Sequence, residues 1–454
     1  MPRKIFISFL GSNFYSPCQY ASGNFVSGET RFVQQATLEW IKNKDGAFPD
    51  ETIILLTGGE RGSRWNNWDA VIKERENPKT RGKELYRGLE TVLAGMELPK
   101  VTPEDVPDGK NEEEIWQIFE TVFHCIRDGD QLCFDLTHGF RYLPMLLLVL
   151  GNYATFLKKN ITLTHISYGN FEATDKTTNI APFVDLLPLA VLQDWATAAN
   201  NLLKFGNAEL LHSLTRSGIN PVLKRTGGQD QTASDLRCVA TALKEFTDAA
   251  SACRCLSIFS QYIKSDIADK IDALRQQGII KPLTPVLEKI KDAFAGYADH
   301  DKANGIRAAR WCLEHNMLPQ GYTILQETVV TLVLEQHKKQ VEKSAASVRE
   351  QREFVSALLS FVAQEKSWDE WKKGDADIAQ EIAAALDREL LTAYDRLSQK
   401  RNDINHGGTG LADHCTDSPR RNHGRNASNI KGLADTLSEA LVVVANISLQ
   451  ENHA

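Results

Sequence analysis

Arg401 and His406 stand five residues apart in the run Lys400-Arg401-Asn402-Asp403-Ile404-Asn405-His406-Gly407-Gly408. Metal-free RNA cleavage requires a 2′-hydroxyl to be deprotonated, a pentavalent phosphorane to be stabilised and a 5′-oxygen to be protonated. Histidine moves protons near neutral pH, and arginine carries phosphate charge. On a continuous helix these two side chains would lie about 140° apart, so they converge only if the helix ends or turns at His406. Two copies of the pair facing each other across a dimer would supply more than one of the three roles. The spacing recurs at Arg310 and His315, but there it falls inside an amphipathic stretch between Trp311 and Leu313, where packing is the more natural reading.

A second group of chemically capable residues falls at predicted strand ends: Gly11-Ser12-Asn13, Thr57-Gly58-Gly59, Thr137-His138-Gly139 and Ser167-Tyr168-Gly169-Asn170. Small residues let a ligand approach the backbone, and their N–H groups and hydroxyls suit phosphate oxygens, above all at a helix N-terminus. Arg141, in the first turn after Asp135-Leu136-Thr137-His138-Gly139-Phe140, adds a fork of donors. The alternative is that the glycines only end strands, that Arg141 pairs with Asp135 and that His138 caps a helix. Gly58-Gly59-Glu60-Arg61-Gly62 lacks the Lys-Ser/Thr of a phosphate loop and does not match GxGxxG, which disfavours kinases, ATPases and dehydrogenases.

These residues need a scaffold, and the chain changes character along its length to provide one. Up to about residue 200, β-branched runs alternate with amphipathic stretches, the pattern of a parallel sheet with crossover helices. Strands are predicted at Lys4–Leu10, Thr52–Leu56, Gln131–Asp135 and Thr162–Tyr168, with a weaker one near Phe183. Helices are predicted at Arg81–Leu98 and Asn111–Arg127, and Gly139–Lys158 is apolar nearly all round, as for a helix pressed against a sheet. From about residue 187 helical periodicity runs almost to the end, including Tyr322–Glu335 and Ile382–Gln399. It breaks at Arg225–Asp230, Lys281–Pro285 and Gly407–Ser428. The charged stretch His337–Glu353 reads as the solvated part of a helix.

Composition bounds the function. At 454 residues, with 42% hydrophobic and 24% charged, the chain holds two or three domains' worth of core material. The balance of 52 basic against 59 acidic residues gives −7, so no global positive field draws nucleic acid, and any such site must be local. The longest apolar stretch, from Leu143 to Phe156, is interrupted by Pro144, Gly151 and Asn152 and falls short of the roughly 20 residues that span a bilayer. The eight cysteines form no CxxC pair and no zinc spacing, which reads as reduced, cytoplasmic usage without a metal.

The residues together resemble a known family. Asp135-Leu136-Thr137-His138-Gly139-Phe140-Arg141 is similar to the D-x-T-H-G-x-R signature in one branch of the CARF-HEPN ancillary ribonucleases of type III CRISPR systems. Arg401 to His406 is similar to that family's Arg-x(4 to 6)-His motif. The resemblance implies an α/β Rossmann-like CARF sensor over 1–205, a helical connecting region over 206–320 and an all-α region ending in a HEPN domain over 321–454. It implies a homodimer that binds cyclic oligoadenylate as allosteric activator and cleaves single-stranded RNA without metal or other cofactor, leaving 2′,3′-cyclic phosphate and 5′-hydroxyl ends.

Carried over by residue, Arg401 and His406 are catalytic, with Asn402 as polar helper. Gly11, Ser12, Asn13, Thr57, Gly58, Thr137, His138, Gly139, Arg141 and Tyr168 contact the ligand. Glu327 either orients the site's arginine or forms a surface ion pair. The stretch 407–429, with Arg420, Arg421, His423 and Arg425, is long for a loop beside an active site and is expected to be flexible. Two other classes stay open: a nucleotide-sensing transcription regulator, disfavoured by the acidic balance and the lack of a basic recognition helix, and a non-catalytic nucleotide-binding scaffold.

Overall fold

Six consecutive apolar or small residues, Ile5 to Leu10, are buried on both faces of a strand, as expected at the centre of a sheet covered by helices on either side. A computed structural model describes residues 2–58, 62–69, 73–77, 81–138, 142–276, 283–406 and 419–451. The strands are β1 (Lys4–Leu10), β2 (Gln19–Ser22), β3 (Phe25–Val26), β4 (Glu51–Leu56), β5 (Lys73–Glu76), β6 (Lys83–Tyr86), β7 (Val101–Asp105), β8 (Gln131–Asp135), β9 (Thr162–Gly169) and β10 (Ile180–Asp185). Eight of them form one sheet in the order β3-β2-β10-β9-β8-β1-β4-β7, while β5 and β6 make a separate hairpin. The run from β9 through β8, β1 and β4 to β7 is parallel. Strand β10 pairs antiparallel with β9.

The alternation along β1 divides the core. Phe6 and Leu10 pack with Val33, Leu38 and Ile41 of the helix Val33–Asp45 on one side of the sheet. Ile5, Ile7 and Phe9 pack with Ile118 and Val122 of the helix Glu112–Cys125 and with Leu146, Leu147 and Leu150 of the helix Leu143–Leu157 on the other. Asn111 caps the helix Glu112–Cys125 by accepting the Glu114 N–H at 2.9 Å.

The chain divides into two compact units, Met1–Leu192 and Gln193–Ala454. The first is the mixed α/β unit. The second has no strand among the described residues, and its buried side chains form one core from Ala198 to Val444 that includes Phe246, Tyr322 and Tyr394. Residues 206–320 and 321–454 therefore share a core. No described helix is long and apolar enough to cross a membrane.

Some expected elements are corrected. The predicted helix Arg81–Leu98 is strand β6 followed by the short helix Leu89–Ala94. Strands β2, β3, β5 and β7 carry no hydrophobic alternation that would have marked them. The helix Leu143–Leu157 is not buried all round, because Met145, Val149 and Phe156 are exposed. The predicted helix Ile382–Gln399 is two helices, Ala376–Ala385 and Arg388–Asn405, with Asp387 between them accepting the Glu389 and Leu390 N–H groups at 2.7 and 3.1 Å. His337–Glu353 is likewise divided, and the helix from Val348 starts at a reciprocal cap between Ser347 and Glu350. The backbone is helical from Pro419 to Glu451, so Pro419–Ser428 does not belong to a loop. Residues 407–418 lie outside the described residues.

Candidate functional site

The sheet places one group of sequence-selected residues at a topological switch point. After β1 the chain lays β2 and β3 at the far edge, then β4 and β7 on one side of β1, and then β8 and β9 on its other side. A crevice opens beyond the carboxyl ends of two strands whose connections diverge in this way. A cleft of about 290 Å³ lies there, and Asn13, Thr137, His138 and Tyr168 line it together with Phe14, Tyr15, Tyr20, Arg31, Gly169 and Phe171. Five separate segments of sequence thus meet at one mouth.

Its floor is a chain of polar contacts beneath the strand ends. Asp135, fully buried, accepts from Ser8 Oγ at 2.7 Å and from the Thr137 N–H and Oγ1 at 3.1 and 2.5 Å. Thr137 Oγ1 accepts the Gly169 N–H at 2.8 Å, tying β8 to β9. Gln34 closes the network by donating to Ser8 Oγ at 3.1 Å and to the Phe9 carbonyl at 2.8 Å. Burial pushes the Asp135 carboxyl up to about 6, and the Thr137 and Ser8 hydroxyls oppose the shift without cancelling it.

His138 stacks on Tyr15, with ring centroids 4.4 Å apart. Its Nε2 is enclosed and has no hydrogen-bond partner among the described residues. Burial holds its pKa down to about 4, so at neutral pH the ring is an uncharged face. Arg31 donates to the Tyr15 carbonyl at 2.7 Å and to Glu84 at 2.7 Å, so its charge is already compensated. Gly169 is the point of closest backbone approach: a Cβ there would sit 2.8 Å from the Tyr20 ring and 2.5 Å from Val33.

Gly11, Ser12, Thr57 and Gly58 do not line this cleft. Asn67, buried in the turn Arg64–Trp68, donates to the Gly11 and Asn13 carbonyls at 2.6 and 2.8 Å and accepts from the Tyr86 hydroxyl at 2.5 Å. Ser12 is exposed beside them. At the end of β4, Ser63 clasps Thr57: its Oγ accepts the Thr57 N–H at 2.8 Å and donates to the Thr57 carbonyl at 3.0 Å. Gly58 follows at φ 87°, a left-handed turn that glycine adopts without a steric penalty. Gly139 and Arg141 lie outside the described residues. Tyr15, Tyr20, Arg31, Gln34 and Asn67 were missed from the sequence, because each reaches the mouth from a segment that carries no motif.

The second group sits in the all-α unit. Arg401 lies just before the last turn of the helix Arg388–Asn405, and His406 is its C-cap, donating its N–H to the Asn402 carbonyl at 3.0 Å. Arg401 is half-buried, while Asn402 and His406 are exposed. The Arg401 Nε is enclosed without a hydrogen-bond partner among the described residues, and so is Asp403 Oδ1. Burial pushes the Tyr394 hydroxyl and the Cys253 thiol up, and the positive charge of Arg401 partly offsets both.

Around it lies a hydrogen-bonded layer. Gln326 donates to the Tyr394 hydroxyl at 3.3 Å, Ser356 and Tyr394 share a bond at 2.9 Å, and Arg352 joins Thr331 Oγ1 at 2.9 Å. Glu327 pairs with Arg352 at 2.6 Å, so its ion-pair partner is that residue and not Arg401. The recurrent spacing at Arg310–His315 is a packing feature. His315 lies against Trp311 at 4.0 Å, and its Nδ1 and Nε2 face the Trp311 and Leu203 carbonyls.

Known proteins carry related sequence. Residues 191–298 match the family described as CRISPR-associated protein MJ1674, second domain. Over 345 residues the chain is 23% identical to the CRISPR-associated protein MJ1674 of Methanocaldococcus jannaschii, a match that covers 74% of this chain and 48% of that protein. The chain is similar to a CRISPR-associated protein. It spans about half the length of that curated relative. The matched segment overlaps the helical connecting region expected over 206–320.

Proposed function

We propose that the chain is a cyclic oligoadenylate-activated, metal-independent endoribonuclease for single-stranded RNA, acting as a cytoplasmic homodimer in type III CRISPR defence. In this reading, residues 1–205 are the CARF sensor, 206–320 the connecting region and 321–454 the HEPN domain. The observation that carries it is half-buried Arg401, whose Nε is enclosed without a hydrogen-bond partner among the described residues, near the end of a helix capped by exposed His406. In this reading Arg401 supplies a phosphate-binding charge and His406 a proton carrier, with Asn402 as polar helper and the second copy of the pair completing the site. Similarity to a CRISPR-associated protein supplies the setting.

The strand-end cleft supports the sensor half. Its rings, Phe14, Tyr15, Tyr20, His138, Tyr168 and Phe171, offer stacking faces to adenine bases. The Thr137 hydroxyl, the Asn13 amide and the Tyr168 hydroxyl along the same cleft offer polar partners to the phosphates and riboses. A second copy is favoured by the apolar face Met145, Val149 and Phe156 of the helix Leu143–Leu157, exposed at 67%, 54% and 84%.

The ring activates only if it binds the cutting arrangement more tightly than the resting one. The reading is tested by incubating labelled single-stranded RNA with activated protein in EDTA and analysing the product ends. We expect 2′,3′-cyclic phosphate and 5′-hydroxyl termini, with His406→Ala lowering the rate by about 10²-fold or more. Cutting that requires added metal, or that survives Arg401→Ala/His406→Ala, would overturn it.

A further inference from the structure

The helices Glu209–Arg225 and Gln231–Ser251 pack against each other in the all-α unit. They leave a cleft of about 290 Å³ along their seam, lined by His212, Thr215, Arg216, Asn220, Arg237 and Thr241. His212, Arg216 and Asn220 recur every four residues on one helix, and Arg237 and Thr241 do so on the other, so each helix turns a polar stripe to the seam. Arg216 and Arg237 are exposed, and neither has an ion-pair or hydrogen-bond partner among the described residues.

The acids of these helices are engaged elsewhere. Glu209 and Asp248 share Lys244 at 2.7 and 2.9 Å. Asp235 is paired with Lys270 at 2.8 Å, and Asp230 caps the Ala233 N–H. Glu245 lines a different cleft, with Asp248, Arg254 and Asp266. In a chain of net charge −7, the seam therefore presents two uncompensated guanidiniums beside a histidine, an amide and hydroxyls. That set recognises phosphate oxygens.

We infer that this seam binds the phosphate backbone of single-stranded RNA, as a docking site additional to Arg401 and His406. Among the described residues no Phe, Tyr or Trp lines it and His212 is its single ring, and both arginines stand in solvent. A free nucleotide is held in a more enclosed pocket with a partner for its base, whereas a polynucleotide backbone needs only exposed charge at the spacing of its phosphates. That the polymer is RNA rests on the ribonuclease reading; the phosphate chemistry of the seam does not.

The test is equilibrium binding of a fluorescent single-stranded RNA in EDTA without activator, across a salt series. Wild type is compared with Arg216→Gln/Arg237→Gln and with the charge-matched control Lys338→Gln/Lys339→Gln. Thermal unfolding of all three confirms that they are folded. Two lost phosphate contacts should flatten the slope of log K against log salt by about 1.4 and weaken binding about tenfold at moderate salt. The control should change neither. Unchanged slope and affinity, or an equal loss in the control, would overturn the inference, as would displacement of the RNA effect by millimolar inorganic phosphate while the arginine variant binds RNA normally. RNA that binds through these arginines yet is never cut with any ring leaves this inference standing and removes the ribonuclease reading; cutting with the arginines immaterial to binding does the reverse.

Discussion

At Asp135 a carboxyl is buried among three donors, yet burial still raises its pKa from the usual carboxylate range to about 6. A group whose folded pKa exceeds its unfolded value contributes stability that is present at low pH and lost as pH rises through the folded pKa. The Asp135→Asn variant lacks that loss. Its stability relative to wild type should therefore increase by about 3 kcal/mol between pH 4 and pH 7.5, the worth of a two-unit shift, as read from urea unfolding at the two pH values. A difference independent of pH would contradict the burial argument. At Gly169 a methyl group has no room against Tyr20 and Val33. Gly169→Ala should cost about 1–3 kcal/mol and weaken ring binding in the cleft, by denaturation and calorimetry respectively.

Elements set how much of the site was legible beforehand. Strands β1 and β8 were readable to the residue, because central strands buried on both faces are continuous apolar runs. Asn13, Thr137, His138 and Tyr168 follow directly from where such strands end. The hairpin β5–β6 and edge strand β7 were not readable: Lys73–Glu76 and Lys83–Tyr86 are dominated by charge, and Val101–Asp105 includes Pro103 and two acids. Edge and surface strands are specified by pairing and by charges that block further pairing, not by hydrophobic period. Asn67 and Gln34 were invisible for a related reason, since their partners are carbonyls of a distant loop and strand. Asn67→Ala should cost about 1–3 kcal/mol, the penalty for leaving its buried partners unsatisfied. It should also loosen the Gly11–Asn13 turn, measured as faster amide hydrogen exchange there with β8 unaffected.

The whole molecule joins an α/β unit, whose cleft lies at the switch point of its sheet, to a helical unit that ends one helix in Arg401 and His406. The order of an α/β part followed by a helical part was legible from the sequence. The aromatic lining of the cleft and the basic seam were not, because each is assembled from residues on separate segments. We propose that a ring bound in the first unit turns on cutting in the second. This coupling is tested most directly by RNA cleavage rate in EDTA against concentration of cyclic tri-, tetra- and hexa-adenylate, for wild type, His138→Ala and Arg401→Ala/His406→Ala. One ring size should activate wild type, His138→Ala should shift the activation curve to higher ring concentration with the same plateau, and the double variant should bind the ring without cutting. Tight binding of a ring with no cutting by wild type, or cutting indifferent to every ring, would contradict it.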